Sequence, residues 1–143
     1  MQARLARLGI RVSGRLEDDS GDCAANSYGR VRQYLLAHPC SSLRRAQFEV
    51  RDSKGDVALV PIAWVEMPTK AEADALKQLM DTGGTGNITE LSRQRGRYRT
   101  VRYTGDAYAS RQDGRLVVNA QAQPVLRGWT GLALTSIATN AVH

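Results

Sequence analysis

Residues 56–66 read as an extended segment carrying Val57, Leu59, Val60, Ile62, Trp64 and Val65, apolar on both faces rather than on alternate positions. A strand with one face in water alternates polar and apolar residues, so this run fits a central strand covered by helices on at least one side. Pro61 cannot donate to a ladder, which predicts a bulge or an edge at that point. Residues 47–51 supply the other arm of a hairpin closed by Asp52-Ser53-Lys54-Gly55, whose glycine takes the positive φ that such a turn demands. The run 57–65 is also the longest apolar stretch of the chain. A spanning helix needs about twenty apolar residues, and no segment reaches that length.

Around this hairpin the periodicity switches between helix and strand. Val31, Tyr34 and Leu35 share a face of a helix that begins near residue 24 or 27, ends at residue 37 and is closed by Pro39. Thr69-Lys70-Ala71-Glu72 spells a capping box, in which a hydroxyl and a carboxylate satisfy unpaired backbone donors. The helix it opens sets Ala73, Leu76, Leu79 and Met80 on one stripe, with Gly83 as its left-handed stop. Beyond the glycine-rich loop 81–87, residues 97–104 read as a strand. Residues 107–111 and 116–122 read as a hairpin turned at Asp113-Gly114, and residues 130–141 as a last helix burying Leu134, Ile137, Ala138 and Ala141. The order α-β-β-α-β-β-β-α predicts an α+β fold, a mainly antiparallel sheet with helices packed on one face. Residues 1–22 read as a basic, then acidic, N-terminal arm or linker, and residues 23–143 as a single α+β domain.

Charge narrows the search for a surface. The chain carries 20 basic and 14 acidic residues for a net +6, and all its basic residues except Lys54, Lys70 and Lys77 are arginines. Arg4, Arg7, Arg11 and Arg15 are cancelled by Glu17, Asp18, Asp19 and Asp22, and their interspersed leucines do not make a secretory hydrophobic region. The surplus lies in residues 93–102, where Arg93, Arg95, Arg97, Arg99 and Arg102 occur without an acid. In an extended chain the first four guanidinium groups share one face over about 20 Å. One reading is a solvated edge strand, whose charges keep sheets from pairing. The other is an anion-binding surface for an acidic protein, an anionic lipid surface or a nucleic acid. A sheet edge would also allow pairing with a second copy of the chain.

Cys23 and Cys40 leave alternatives open: a disulfide in an oxidising compartment, two unpaired small hydrophobes in a reducing one, or a metal or catalytic role. A disulfide would add about 3 kcal/mol in the chain-entropy model. With a helix between the cysteines, the flanking residues must double back along it.

Other candidate chemistry has a plainer explanation in each case. Asp81-Thr82-Gly83 is the aspartic-protease triplet, yet it ends a helix instead of following a strand. Gly83-Gly84-Thr85-Gly86-Asn87 leaves a helix towards a strand, the wrong polarity for a phosphate loop. Cys23, His38 and Cys40 are three ligands where structural zinc takes four. A small enzyme would need a pocket near Trp64, Glu66 and Tyr103. No catalytic, cofactor or metal residue is assigned from these patterns.

Asp22-Cys23-Ala24, Ser27-Tyr28-Gly29, His38-Pro39-Cys40, Trp64-Val65-Glu66-Met67-Pro68, Gly84-Thr85-Gly86-Asn87 and Tyr108-Ala109-Ser110-Arg111 together resemble a group of uncharacterised proteins from high-GC actinobacteria. The resemblance covers most of residues 22–123. It implies an exported or membrane-anchored protein with the anchor before the acidic patch, strengthens the disulfide reading, and brings no activity; residues 1–21 contain no such anchor. The functional expectation is a non-enzymatic interaction or sensor domain outside the cytoplasm that meets an anionic partner through its basic strand. The alternatives are a cytoplasmic nucleic-acid-binding module and a small α+β enzyme.

Overall fold

The computed structural model describes residues 2–19, 21–125, 129 and 134–143. Its elements in chain order are α1 (Gln2–Ala6), β1 (Arg11–Asp18), β2 (Ser27–Tyr28), α2 (Gly29–Ala37), β3 (Ser42–Arg51), β4 (Val57–Glu66), α3 (Lys70–Met80), β5 (Gly86–Ile88), α4 (Leu91–Gln94), β6 (Tyr108–Asp113), β7 (Leu116–Gln121), β8 (Gln123–Pro124) and α5 (Leu134–Val142).

β3 and β4 pair antiparallel along their whole length, from Ser42 opposite Glu66 to Arg51 opposite Val57. At the turn the Asp52 carboxylate accepts the Lys54 and Asp56 N–H groups, each at 2.9 Å, and Gly55 sits at φ 86°. The main sheet runs β1-β3-β4-β7-β6, with β8 also on β4. Pro61 therefore lies in a central strand, without a bulge against β3. On the other side β4 pairs with β7 from Ile62 onward and with β8 at Ala58 and Leu59, so the proline falls where β4 changes partner. This replaces the expected bulge or edge.

The two apolar faces of β4 explain the layering. Ala46, Phe48, Val50, Ala58, Val60, Ile62, Val118 and Ala120 pack against Leu5 of α1 and Ile137 and Val142 of α5. Leu43, Ala63, Val65 and Val117, on the opposite face, pack against Val31 and Leu35 of α2 and Ala73, Leu76 and Met80 of α3. The molecule is α+β with a mainly antiparallel sheet, and the helices expected on one face are divided between both. A strand apolar on both sides requires two covers.

Two segments differ from expectation. Residues 11–18, placed by sequence in an arm or linker, form edge strand β1, paired with β3 from Arg11 opposite Arg51 to Asp18 opposite Arg45. Its exposed Arg11, Ser13, Arg15 and Glu17 alternate with half-buried Val12, Gly14, Leu16 and Asp18. The charged edge is thus β1, whose outward side chains guard it against pairing with another sheet. Residues 97–104, expected as a strand, have no regular structure. Gly96 at φ 88° turns the chain out of extension at the end of α4, and Arg97 and Tyr98 bond back to β3 instead of to a neighbouring strand.

The hydroxyl half of the capping box forms: the Thr69 hydroxyl accepts the Glu72 N–H at 3.1 Å, and it donates to the Glu72 carboxylate at 2.9 Å, so that carboxylate bonds the hydroxyl where a backbone donor was expected. Asp81, rather than Gly83, closes α3. The last helix begins at Leu134; the expected residues 130–133 lie outside the described residues.

Candidate functional site

Beyond the part that α2 and α3 cover, the same face of the sheet changes from apolar to polar. Arg45, Gln47 and Glu49 of β3 and Asn119 and Gln121 of β7 are all buried on it. The cover here is the segment that leaves β5, forms α4 and continues through residue 103. Polar groups under such a cover must find partners, and they dictate how the segment lies.

Arg45 is the hub. Its guanidinium donates to the Thr89 carbonyl and the Gln94 side chain, each at 2.9 Å, to Asp18 at 2.8 Å and to Asn26 at 3.2 Å. One buried side chain thereby ties β1, β3, the loop before β2 and both ends of the α4 turn. Arg's planar fork suits this role, because a single group reaches several acceptors in fixed directions. Next along the face, Glu90 is buried and accepts from Tyr28 at 3.2 Å, with Arg93 also at 3.2 Å. Burial raises the Glu90 pKa above the usual carboxylate range, against the opposing pull of Arg93. The Arg93 guanidinium also lies 5.2 Å from the Tyr28 ring and 5.8 Å from the Tyr103 ring. Burial, with Glu90 nearby, pushes the Tyr28 phenol up to about 12.

Glu49 anchors the far end of the cover. Arg97 and Tyr98 donate to one of its oxygens at 2.8 and 2.7 Å, and Ser13 and Arg51 to the other at 2.9 and 3.1 Å. Burial pushes this carboxyl up, but the hydrogen bonds from Tyr98, Arg97 and Ser13 outweigh it and hold the pKa at about 2. Between these anchors a gap is left under the cover. Gly14, Leu16, Gln47, Glu49 and Leu59 floor a space of about 270 Å³ roofed by Ser92, Arg95, Gly96, Arg97 and Tyr98.

The four arginines expected on one face of a strand, and Arg102 beyond them, are therefore separated. Arg93 is engaged with Glu90, Arg95 with the Glu17 carbonyl and, at 4.0 Å, the Asp18 carboxylate, and Arg97 with Glu49. Arg99 and Arg102 are exposed and have no ion pair or hydrogen bond among the described residues. Arg97 and Arg102 nonetheless line one open cleft of about 460 Å³, together with Tyr98, Thr100, Val101, Gln123, Pro124 and Val125.

Cys23 and Cys40 form a disulfide with their Cα atoms 6.1 Å apart. Residues 23–28 run back along α2, which brings the cysteines together despite the intervening helix. The Cys40 sulfur is thereby unavailable as a nucleophile. His38 stacks on Tyr34 at 4.6 Å and its Nδ1 lies 3.6 Å from Glu72. Asp81, of the protease-like triplet, is ion-paired with Lys77 at 2.7 Å and accepts from Tyr108 at 3.0 Å and Ser110 at 2.6 Å. Trp64, Glu66 and Tyr103 do not converge. Trp64 lies under Arg44 at 4.1 Å on the α5 face, Glu66 pairs with Arg115 at 3.2 Å, and Tyr103 is on the opposite face against Ser92 and Gln47.

Sequence reasoning missed Arg45, Gln47, Glu49 and Glu90. The available signal was polar residues at alternate positions of a strand whose intervening residues, Ala46, Phe48 and Val50, are apolar. That pattern is read as solvent exposure unless something covers it. Comparison of the chain with family models, curated proteins and solved structures finds no match.

Proposed function

We propose that this chain is a non-enzymatic interaction or sensor domain that works outside the cytoplasm and meets an anionic partner through Arg99 and Arg102, beside the wall that Arg97 forms. The observation that carries this reading is the cleft shared by Arg97 and Arg102, with Arg99 and Arg102 unpaired among the described residues. Arginines engaged with internal acids have little charge left for a partner, so the basic patch is narrower than the sequence implied. The rigid tie of Arg97 to Glu49 supports the reading further, because it fixes one wall of the cleft before any partner arrives. The Cys23–Cys40 bridge supports an oxidising compartment.

Titration of the oxidised chain with vesicles containing anionic lipid, with a soluble polyanion and with duplex DNA, each at low and physiological salt, tests the proposal. Binding to at least one of these is expected at low salt and weakens as salt rises. Replacing Arg99 and Arg102 together with alanine is expected to weaken it by about thirtyfold, at about 1 kcal/mol per arginine. No binding to any of the three at low salt overturns the proposal, and DNA binding alone moves the assignment to the nucleic-acid alternative.

A further inference from the structure

A second cleft, of about 320 Å³, opens where the end of α3 and the loop 82–86 face the segment 103–108, and it shares no lining residue with the arginine cleft. The sheet sets its floor. Tyr108 of β6 stands opposite Gln121 of β7, and such antiparallel neighbours point to the same face. Asn87 of β5 is tied to that face by Asn119, which donates to its Oδ1 at 2.7 Å. The rim is fixed as well: Asp81 accepts from Lys77, Tyr108 and Ser110, and the Thr85 hydroxyl reaches the Leu79 and Thr82 carbonyls at 2.6 and 2.7 Å. At Gly83 and Gly84 an added Cβ would meet nothing within 4 Å, so the loop leaves the mouth clear.

Two kinds of surface meet in this cleft. The hydroxyls of Tyr28, Tyr103 and Tyr108 are bonded to Glu90, Ser92 and Asp81, at 3.2, 2.6 and 3.0 Å, so these residues offer a ligand their rings. Gln121 offers the opposite. It is 6% exposed, and neither end of its amide has a hydrogen bond among the described residues. Unlike the Gln47 nitrogen, neither end is sealed from a water-sized contact. The amino end of Asn87 is likewise unbonded among the described residues. Native interiors seldom leave a buried amide unmet. Gln121 also borders a space of about 10 Å³ beneath β5, room for about one water, which serves one end of the amide and leaves the other to the cleft. Among the described residues Asp81 is the one charged side chain lining the cleft, and Lys77 already pairs with it, so nothing there attracts an ion.

We infer that this cleft binds one neutral sugar unit, with hydroxyls bonded to Gln121 and Asn87 and a C–H face laid against a tyrosine ring. A sugar is an uncharged ligand whose two surfaces match these. Each hydroxyl both donates and accepts, as an unmet amide requires, and the axial hydrogens of the ring make an apolar face. Small-molecule sites span about 300–1,000 Å³, and a cleft at the lower end of that range limits the occupant to about one ring. This inference does not rest on the arginine reading.

The test is an amide NMR titration of the full oxidised chain with the methyl glycosides of glucose, galactose, mannose and N-acetylglucosamine. Two controls accompany them: tetrahydropyran-2-methanol, a similar ring without vicinal hydroxyls, and uracil, a flat uncharged ring with amide-like groups. Saturable shifts at Gly83, Gly84, Asn87, Tyr108 and Gln121 are expected with at least one glycoside, and both controls are expected to bind at least about tenfold more weakly. Gln121→Leu is expected to weaken glycoside binding about tenfold without lowering the denaturation midpoint, because the amide has no partner in the fold to lose. No saturation by any glycoside below roughly 50 mM, shifts that map elsewhere, controls that bind as tightly, or unchanged binding in Gln121→Leu would overturn the inference. A lowered midpoint in Gln121→Leu would overturn it too, since the amide would then serve the fold. The titration of the native chain decides without any variant.

Discussion

Arg97 reaches from the irregular segment after α4 to Glu49 near the end of β3, its Nη2 lying 2.8 Å from the Glu49 Oε2. The two residues are 48 positions apart in the chain, and their contact converts a basic loop into a fixed cover over the polar end of the sheet. Glu49 is nearly buried whereas Arg97 is largely exposed, so the acid is the member whose loss matters more.

The depressed pKa of Glu49 makes stability depend on acid. The carboxyl sits at about 2 in the folded chain against 4.5 for the ordinary group. Its contribution is fully present above pH 4.5 and is lost as pH falls through about 2. The effect is about 3 kcal/mol. Urea melts at pH 7, 4 and 2.5 are expected to show a steep loss in the native chain and a shallower one in Glu49→Gln, which starts less stable at pH 7. Identical pH profiles would refute the assignment.

Arg45→Leu removes the one group that satisfies acceptors on four separate segments. Loss of one partner of a buried ion pair costs about 3 kcal/mol or more. The denaturation midpoint is expected to fall accordingly. In hydrogen exchange the amides of residues 89–95 are expected to lose protection before those of β4.

Reduction of Cys23–Cys40, or replacement of both residues by serine, is expected to cost about 3 kcal/mol on the loop-entropy model. Cys23 packs with Leu35 and Leu43, so the loss falls on the α2 face first. Intact mass after alkylation, with and without reductant, reads the bridge directly. Two alkylated thiols without reductant would contradict it.

Gly86→Ala places a methyl group where a Cβ would lie 2.1 Å from the Tyr28 carbonyl oxygen, at φ 90°. The β2–β5 pair must separate to accept it. A loss of at least about 2 kcal/mol is expected, from strain and from the broken approach together. At the neighbouring loop glycine Gly84 an added Cβ would meet nothing within 4 Å, so Gly84→Ala carries only the left-handed penalty and should cost less.

Thr69→Ala removes the cap of α3 and is expected to cost about 1 kcal/mol, measured as a shift in denaturation midpoint with an unchanged slope.

Local chemistry made several elements legible. The Thr69 cap and the Asp52–Gly55 turn depend on neighbours a few residues away, and each is where its residues put it, while the hairpin expected to turn at Asp113-Gly114 turns one residue later, at Gly114-Arg115. The site was harder to read because its determinants are long-range. Alternating Arg93, Arg95, Arg97 and Arg99 spells a strand only if a partner strand is present, and a turn at Gly96 together with Glu49 outcompetes that arrangement. The acidic run 17–19 resembles a linker by composition, yet Asp18 is held by Arg45 and lies at the end of an edge strand.

The sequence by itself determined a central apolar strand, a mainly antiparallel α+β fold and the capped helix, because hydrophobic period and turn chemistry act within a few residues. Only the tertiary structure decided which charges remain outward. Burying Arg45 and Glu49 on the sheet face and Glu90 in the cover required partners drawn from β1, β2 and the segment 89–98; Glu90 and Glu49 took Arg93 and Arg97, and the end of β1 took Arg95, out of the five arginines that composition alone presented as a surface. Buried charge must be paired, and the pairing is made across distances that no sequence window spans.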